Sequence, residues 1–175
     1  FCRTIDGASD IDVNREDTGY IGTAHLLEHG HKTVAYLGIH HSGTRLRKNG
    51  WKRALQDYGA GGISIDLQSL EGSAERLKEI LRKEKVTALF CSNDFLAGKV
   101  MRCLSMSGWN IPGDIAVAGC DGNSFIEYTT PTLTTVIQPI HQIAEQCAKL
   151  ILERIRKKIN GVILSKIDVT PKLWT

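Results

Sequence analysis

Four polar residues in this chain stand where a ligand could be held. Asn93 and Asp121 follow two short apolar runs, Thr87-Ala88-Leu89-Phe90-Cys91 and Ile115-Ala116-Val117-Ala118-Gly119, which stop at Ser92-Asn93-Asp94 and Cys120-Asp121-Gly122. Gln138 follows the extended run that begins at Pro131, and Arg47 lies in the helical segment after the run Thr33 to Gly38. An Asp accepts two hydrogen bonds, an Asn both donates and accepts, and the Arg fork donates several. That mix suits a neutral polyhydroxylated ligand or a nucleobase better than a metal ion. A hydrogen bond to a charged group contributes about 1.5–3 kcal/mol. The same residue types also cap helices and shape turns, and spacing alone leaves both roles open.

Two other constellations compete. His25-Leu26-Leu27-Glu28-His29 matches the H-x-x-E-H pattern of inverted zinc proteases, with His25, Glu28 and His29 as the residues in question. It falls at the end of a predicted helix, where polar residues are expected, and no third ligand is marked. Cys91 and Cys120 end predicted buried strands without a clear His partner, and there is no G-x-S-x-G. A phosphate-cradling G-x-G-x-x-G is absent too, so no nucleotide cofactor, and no other cofactor, is expected.

The elements that must position these residues alternate. Thr18 to His29 has helical spacing and stops at Gly30, and Thr33 to Gly38 reads as a strand. A helix over Arg45 to Tyr58, a short strand over Ile63 to Leu67 and an amphipathic helix over Ser73 to Lys85 follow. Next come the strand ending at Cys91, a helix from Phe95 to Ser107 and the strand ending at Gly119. This β-α-β-α-β-α-β order predicts a doubly wound α/β sheet, in which ligands bind outside the carboxyl ends of the strands. The tail holds an extended segment from Pro131 to Pro139, a long helix over Ile140 to Ile159 and a strand near Val162 to Val169.

The 175 residues suffice for one domain or two small lobes. The net charge of +3 is too mild to imply a nucleic-acid surface, which shows a clustered basic stripe. The densest basic stretches, Arg45 to Lys48 and Arg154 to Lys158, read as solvated helix faces. Five cysteines with no Cys-x-x-Cys favour a reduced, cytoplasmic compartment. No apolar run approaches the length of a membrane span. The helices Thr18 to His29 and Ile140 to Ile159 are left without a strand of their own to cover.

The string from Thr18 to Thr175 resembles the effector-binding core of the LacI/GalR family of bacterial transcription regulators. The resemblance rests on His25-Leu26-Leu27-x-x-Gly30-His31, Arg45-Leu46-Arg47-x-x-Gly50-Trp51 and Cys91-Ser92-Asn93-Asp94-x-x-Ala97. It continues through Gly108-x-x-Ile111-Pro112-x-Asp114-Ile115, Gly119-x-Asp121 and Pro131-x-Leu133-Thr134-Thr135-Val136-x-Gln138-Pro139. Their order and spacing over nearly the whole chain are specific. The resemblance implies a Rossmann-like parallel sheet with flanking helices, of the type I periplasmic-binding-protein-like kind. It implies one complete lobe and part of a second. Residues 31–138 and 161–175 would form the carboxy-terminal subdomain, and residues 1–30 and 139–160 part of the amino-terminal one.

By position, the resemblance implies effector contacts at Arg47, Asn93, Asp121 and Gln138, and at Leu67 where relatives often carry a stacking aromatic ring. Leu67 departs from that pattern, as does Gly122, where an acidic residue commonly stands, and Val13 before Asn14. His40 and His41 match nothing in the family pattern. The implied function is sensing a sugar-like or related metabolite as part of a LacI-type regulator, a repressor, rather than catalysis. The implied partners are a second copy of the chain, through surfaces near Phe95 to Met101 and around Phe125 and Tyr128, and operator DNA through an amino-terminal headpiece outside this sequence. A periplasmic-type sugar-binding protein is the alternative on the same fold.

Overall fold

The computed structural model describes residues 10–38, 42–66, 74–157, 166–169 and 171–175. Its strands are β1 (Asp10–Val13), β2 (Val34–Gly38), β3 (Ser64–Asp66), β4 (Ala88–Cys91), β5 (Ala116–Asp121), β6 (Thr134–Ile137), β7 (Lys166–Val169) and β8 (Lys172–Trp174). Its helices are α1 (Arg15–Glu28), α2 (Ser42–Asp57), α3 (Ala74–Lys83), α4 (Asp94–Met106) and α5 (Ile140–Lys157), with a 3-10 helix at Ser124–Tyr128. Six strands form one sheet in the order β3-β2-β4-β5-β6-β8, parallel except for β8. The connections leave β2 in one direction towards β3 and return past it to β4. The crevice between the ends of β2 and β4 is therefore a topological switch point, the standard ligand position in such sheets.

The core follows the period of two along each strand. Val34, Tyr36, Ala88, Phe90, Ala118, Cys120 and Val136 form one apolar layer with Leu26 and Leu27 of α1 and Trp51, Ala54 and Leu55 of α2. The alternate residues Ala35, Leu37, Leu89, Cys91 and Val117 form the other layer with Leu77 and Leu81 of α3 and Leu96, Val100 and Leu104 of α4. Because both faces are covered, β2 and β4 are buried along their whole length and read as continuous apolar runs rather than as alternation.

Helix α1 corrects the domain expectation. It packs beside α2 on the six-stranded sheet and does not belong to a second lobe. The reason is a close crossing of two helices. A methyl group on Gly19 would overlap the Arg47 carbonyl, and one on Gly50 would overlap the Glu16 carbonyl, so α1 and α2 touch backbone to backbone. Arg53 of α2 bonds Glu16 at 2.9 Å and Asp17 at 2.8 Å across the same seam. The boundary between residues 30 and 31 therefore cuts through one packed unit.

The tail corrects it a second time. β7, expected with the main sheet, pairs in parallel with β1 in a separate two-stranded sheet. β8 alone returns to the main sheet, antiparallel to β6. Helix α5 packs against β1 and shows Ile140, Ile151, Leu152 and Ile155 to solvent.

Candidate functional site

Arg47 is the centre of the strand-end cluster. It lies one turn inside α2 and is 8% exposed. Its Nη1 donates to the Ser92 carbonyl at 2.5 Å, and its Nη2 donates to Asp121 Oδ1 at 2.8 Å. One guanidinium fork thus straps the ends of β4 and β5 together. Its Nε is buried and has no hydrogen-bond partner among the described residues. Backbone contact with Gly19 fixes where the arginine starts, which is why α1 matters to the site.

Asp121 ends β5 at a φ of +127°, a conformation few side-chain-bearing residues adopt, and Gly122 follows at +74°. Such backbone is kept only where the surroundings enforce it, and it concentrates at functional sites. The glycine is required: beyond its positive φ, a Cβ there would press on Ile137 at about 3.0 Å. Burial raises the Asp121 carboxyl above its ordinary value, and the adjacent Arg47 charge opposes that shift. The bonds from Arg47 and from the Cys120 thiol both fall on Oδ1. Among the described residues, that leaves Oδ2 for an incoming hydroxyl.

Gln138 joins the pair through strand register. Asp121 lies opposite Ile137, so Gln138 follows at the sheet end, where its backbone N–H donates to the Asp121 carbonyl at 3.3 Å. Its Nε2 donates to Cys120 Sγ at 3.2 Å. Burial pushes the Cys120 and Cys91 thiols well up, so neither is an activated nucleophile.

Asn93 takes the capping role that its residue type allowed. Its Oδ1 accepts from the Leu96 N–H at 2.7 Å and opens α4. Capping occupies the oxygen only, and the Asn93 amide NH2 stands one residue past the Ser92 carbonyl that Arg47 grips. The structure therefore brings Arg47, Asp121 and Gln138 into one hydrogen-bonded cluster and places Asn93 at its edge. Leu67, His40 and His41 lie outside the described residues.

The H-x-x-E-H residues do not assemble a ligand set. Glu28 accepts from the Tyr58 hydroxyl at 2.7 Å, and His29 Nδ1 lies 2.8 Å from the His25 carbonyl oxygen. Among the described residues, no three His, Cys, Asp or Glu groups come together as metal ligands. Asp94 and Gly50 stand in the motifs quoted above without a role of their own, and Gly19 stands in none of them. Asp94 is fully buried against the turn after Asp121, and the two glycines set the α1–α2 crossing. The clearest signal for them was a helix, α1, carrying Gly19 and Gly22 in its interior.

The hollows along α4 and at the opposite end of the sheet contain none of Arg47, Asn93, Asp121 or Gln138. An Arg–Asp pair with amide groups beside it is neutral overall, rich in donors and acceptors, and matched to a ligand with several hydroxyls. The α4 hollow has about 580 Å³ and is lined by Phe95, Met101, Met106, Phe125 and Tyr128.

Comparison with known proteins agrees with this fold. The periplasmic binding protein-like domain family matches residues 23–171. The HTH-type transcriptional repressor PurR of Vibrio vulnificus is 34% identical over 163 residues, 86% of this chain and 47% of that protein. A LacI family transcriptional regulator from Enterococcus faecium with bound ribose superposes with a TM-score of 0.83 at 26% identity, over 99% of this chain and 66% of that one. A periplasmic binding protein/LacI transcriptional regulator from Alkaliphilus metalliredigens, complexed with D-xylulofuranose, gives 0.84 at 25% identity, again over 99% of this chain and 66% of that one. The chain spans about half the length of the curated relatives it matches. It belongs to the periplasmic binding protein-like family, as an effector-binding core of the LacI/GalR type.

Proposed function

We propose that the Arg47–Asp121–Gln138 cluster, with Asn93 at its rim, is one wall of the effector site of a LacI-type transcriptional repressor. The observation that carries this reading is the Arg47 fork joining the ends of β4 and β5, next to the switch point between β2 and β4. A neutral, polyhydroxylated metabolite of sugar size fits the donors and acceptors. Relatives with bound ribose and D-xylulofuranose support that class. The opposite wall belongs to the lobe of which β1, β7 and α5 are part, and Leu67 completes the set of contacts.

In this reading the chain senses and does not catalyse. It works in the cytoplasm as a homodimer, and it reaches operator DNA only through a headpiece outside this sequence. The exposed Phe95, Met106 and Tyr128 around the α4 groove are the proposed dimer face, consistent with their exposure as a contiguous apolar patch. Curated relatives that are repressors favour a regulator over a periplasmic receptor of the same fold.

A thermal-shift screen of sugars, sugar phosphates and nucleobases against the full-length protein tests the reading. A ligand present at about a hundred times its Kd adds about 2.7 kcal/mol to the native state. Arg47→Ala and Asp121→Ala each remove that gain and the ligand's effect on DNA binding, and the lobe stays folded. If either variant keeps a normal response to the same ligand, the site is misassigned.

A further inference from the structure

Asp94 is a fully buried carboxyl group to which the effector reading gives no role. It opens α4, and both of its oxygens reach back across the end of the sheet. Oδ1 accepts from Thr135 Oγ1 of β6 at 2.5 Å. Oδ2 accepts from the Asn123 backbone N–H at 2.8 Å and from Asn123 Nδ2 at 3.3 Å. Space for the carboxyl exists because Gly119 lacks a side chain: a methyl group there would overlap Asp94 Oδ1.

Three segments converge on this one group. They are α4, strand β6, and the turn between β5 and the 3-10 helix. Asn123 stands two residues after Asp121, whose positive φ must be enforced from outside. It also stands immediately before the 3-10 helix that carries Phe125 and Tyr128 to the α4 groove. A buried acceptor that loses its donors is left unsatisfied, so the carboxyl group and its donors hold one another in place.

We propose that Asp94 is a positioning residue whose carboxylate locks the Asp121–Asn123 turn to α4, so that the strand-end cluster and the wall of the α4 groove form a single unit. That the turn carries an effector contact rests on the reading above. The anchoring itself does not.

Hydrogen exchange in the full-length protein tests it without any effector, so its outcome is separate from the effector assignment. In Asp94→Ala, exchange of the Asn123, Ile126 and Thr129 amides accelerates at least about tenfold, and the Val34 and Tyr36 amides on the far side of the sheet change less than about twofold. A group that only adds to global stability raises both sets together. Asp94→Asn keeps an acceptor for Asn123 and an amide that the Thr135 hydroxyl can accept, and it restores slow exchange. Thr135→Val removes one donor and gives the same local pattern more weakly, which keeps the test available if Asp94→Ala does not fold. No acceleration at Asn123, an equal rise at Val34 and Tyr36, or equally fast exchange in Asp94→Asn overturns the proposal.

Discussion

The six-stranded lobe and the piece formed by β1, β7 and α5 follow the same α/β grammar with opposite results. In the lobe, α1 and α2 cover one face of the sheet, α3 and α4 cover the other, and Phe90 is wholly inaccessible between them. In the smaller piece two short parallel strands meet one long amphipathic helix, and Ile155 of that helix is 69% exposed. A helix is stabilised chiefly by what its apolar stripe packs against. The stripe of α5 keeps helical spacing, but Ile140, Ile151, Leu152 and Ile155 on it stay exposed. Layer count, not helix quality, separates a closed core from an open one.

The largest test of that contrast is Phe90→Ala. Deleting a ring buried against α1 and α2 costs about 3–5 kcal/mol, read as a fall in the urea midpoint. A smaller effect comes from Gly50→Ala. The added methyl meets the backbone of α1 rather than a flexible side chain, which forces the helices apart at a cost of about 1–3 kcal/mol and moves Arg47 with them. A loss near zero in that variant would mean that the helices do not touch at this glycine.

Acid titration gives a third, smaller signal. Burial raises the folded Asp121 carboxyl above the ordinary aspartate value of 3.8. The folded state therefore holds more protons than the unfolded state between that value and the raised one, and stability falls as pH rises through the window. Asp121→Asn removes this contribution, so its stability declines less than wild type over the same rise in pH. A parallel pH profile for the two proteins contradicts the burial of this group. The smallest change is Ile155→Ala in α5, within about 0.5 kcal/mol for this chain. A cost comparable to Phe90→Ala would show that α5 is covered after all.

Much of the lobe was legible beforehand because its strands are short apolar runs closed by polar residues. The strand ending at Cys91 matched the end of β4, and the one ending at Gly119 fell two residues short of the end of β5. The arithmetic of helices and strands misplaced α1, because strand counting treats each helix as needing its own strand. Two helices can share one face when glycines let their backbones meet, and Gly19 and Gly50 do this. β7 was misplaced for a related reason. A four-residue strand carries no mark of its neighbour, and its pairing with β1 is decided some 150 residues away in sequence.

The site divides along the same line. Residue type and position near a strand end marked Arg47, Asn93, Asp121 and Gln138 as polar groups at one edge. Nothing in their spacing says that Arg47 spends its fork on Ser92 and Asp121, or that the oxygen of Asn93 is taken by a helix cap. Those partnerships depend on distances between strands set by packing. Asp94 shows the limit most clearly: as a sequence element it is a second acid beside an Asn, and only the fold surrounds it with Thr135 and Asn123. The sequence by itself determined the order of elements, because hydrophobic period and turn residues are local. The tertiary structure alone decided which polar groups pair with which, because hydrogen bonding is a property of neighbours in space.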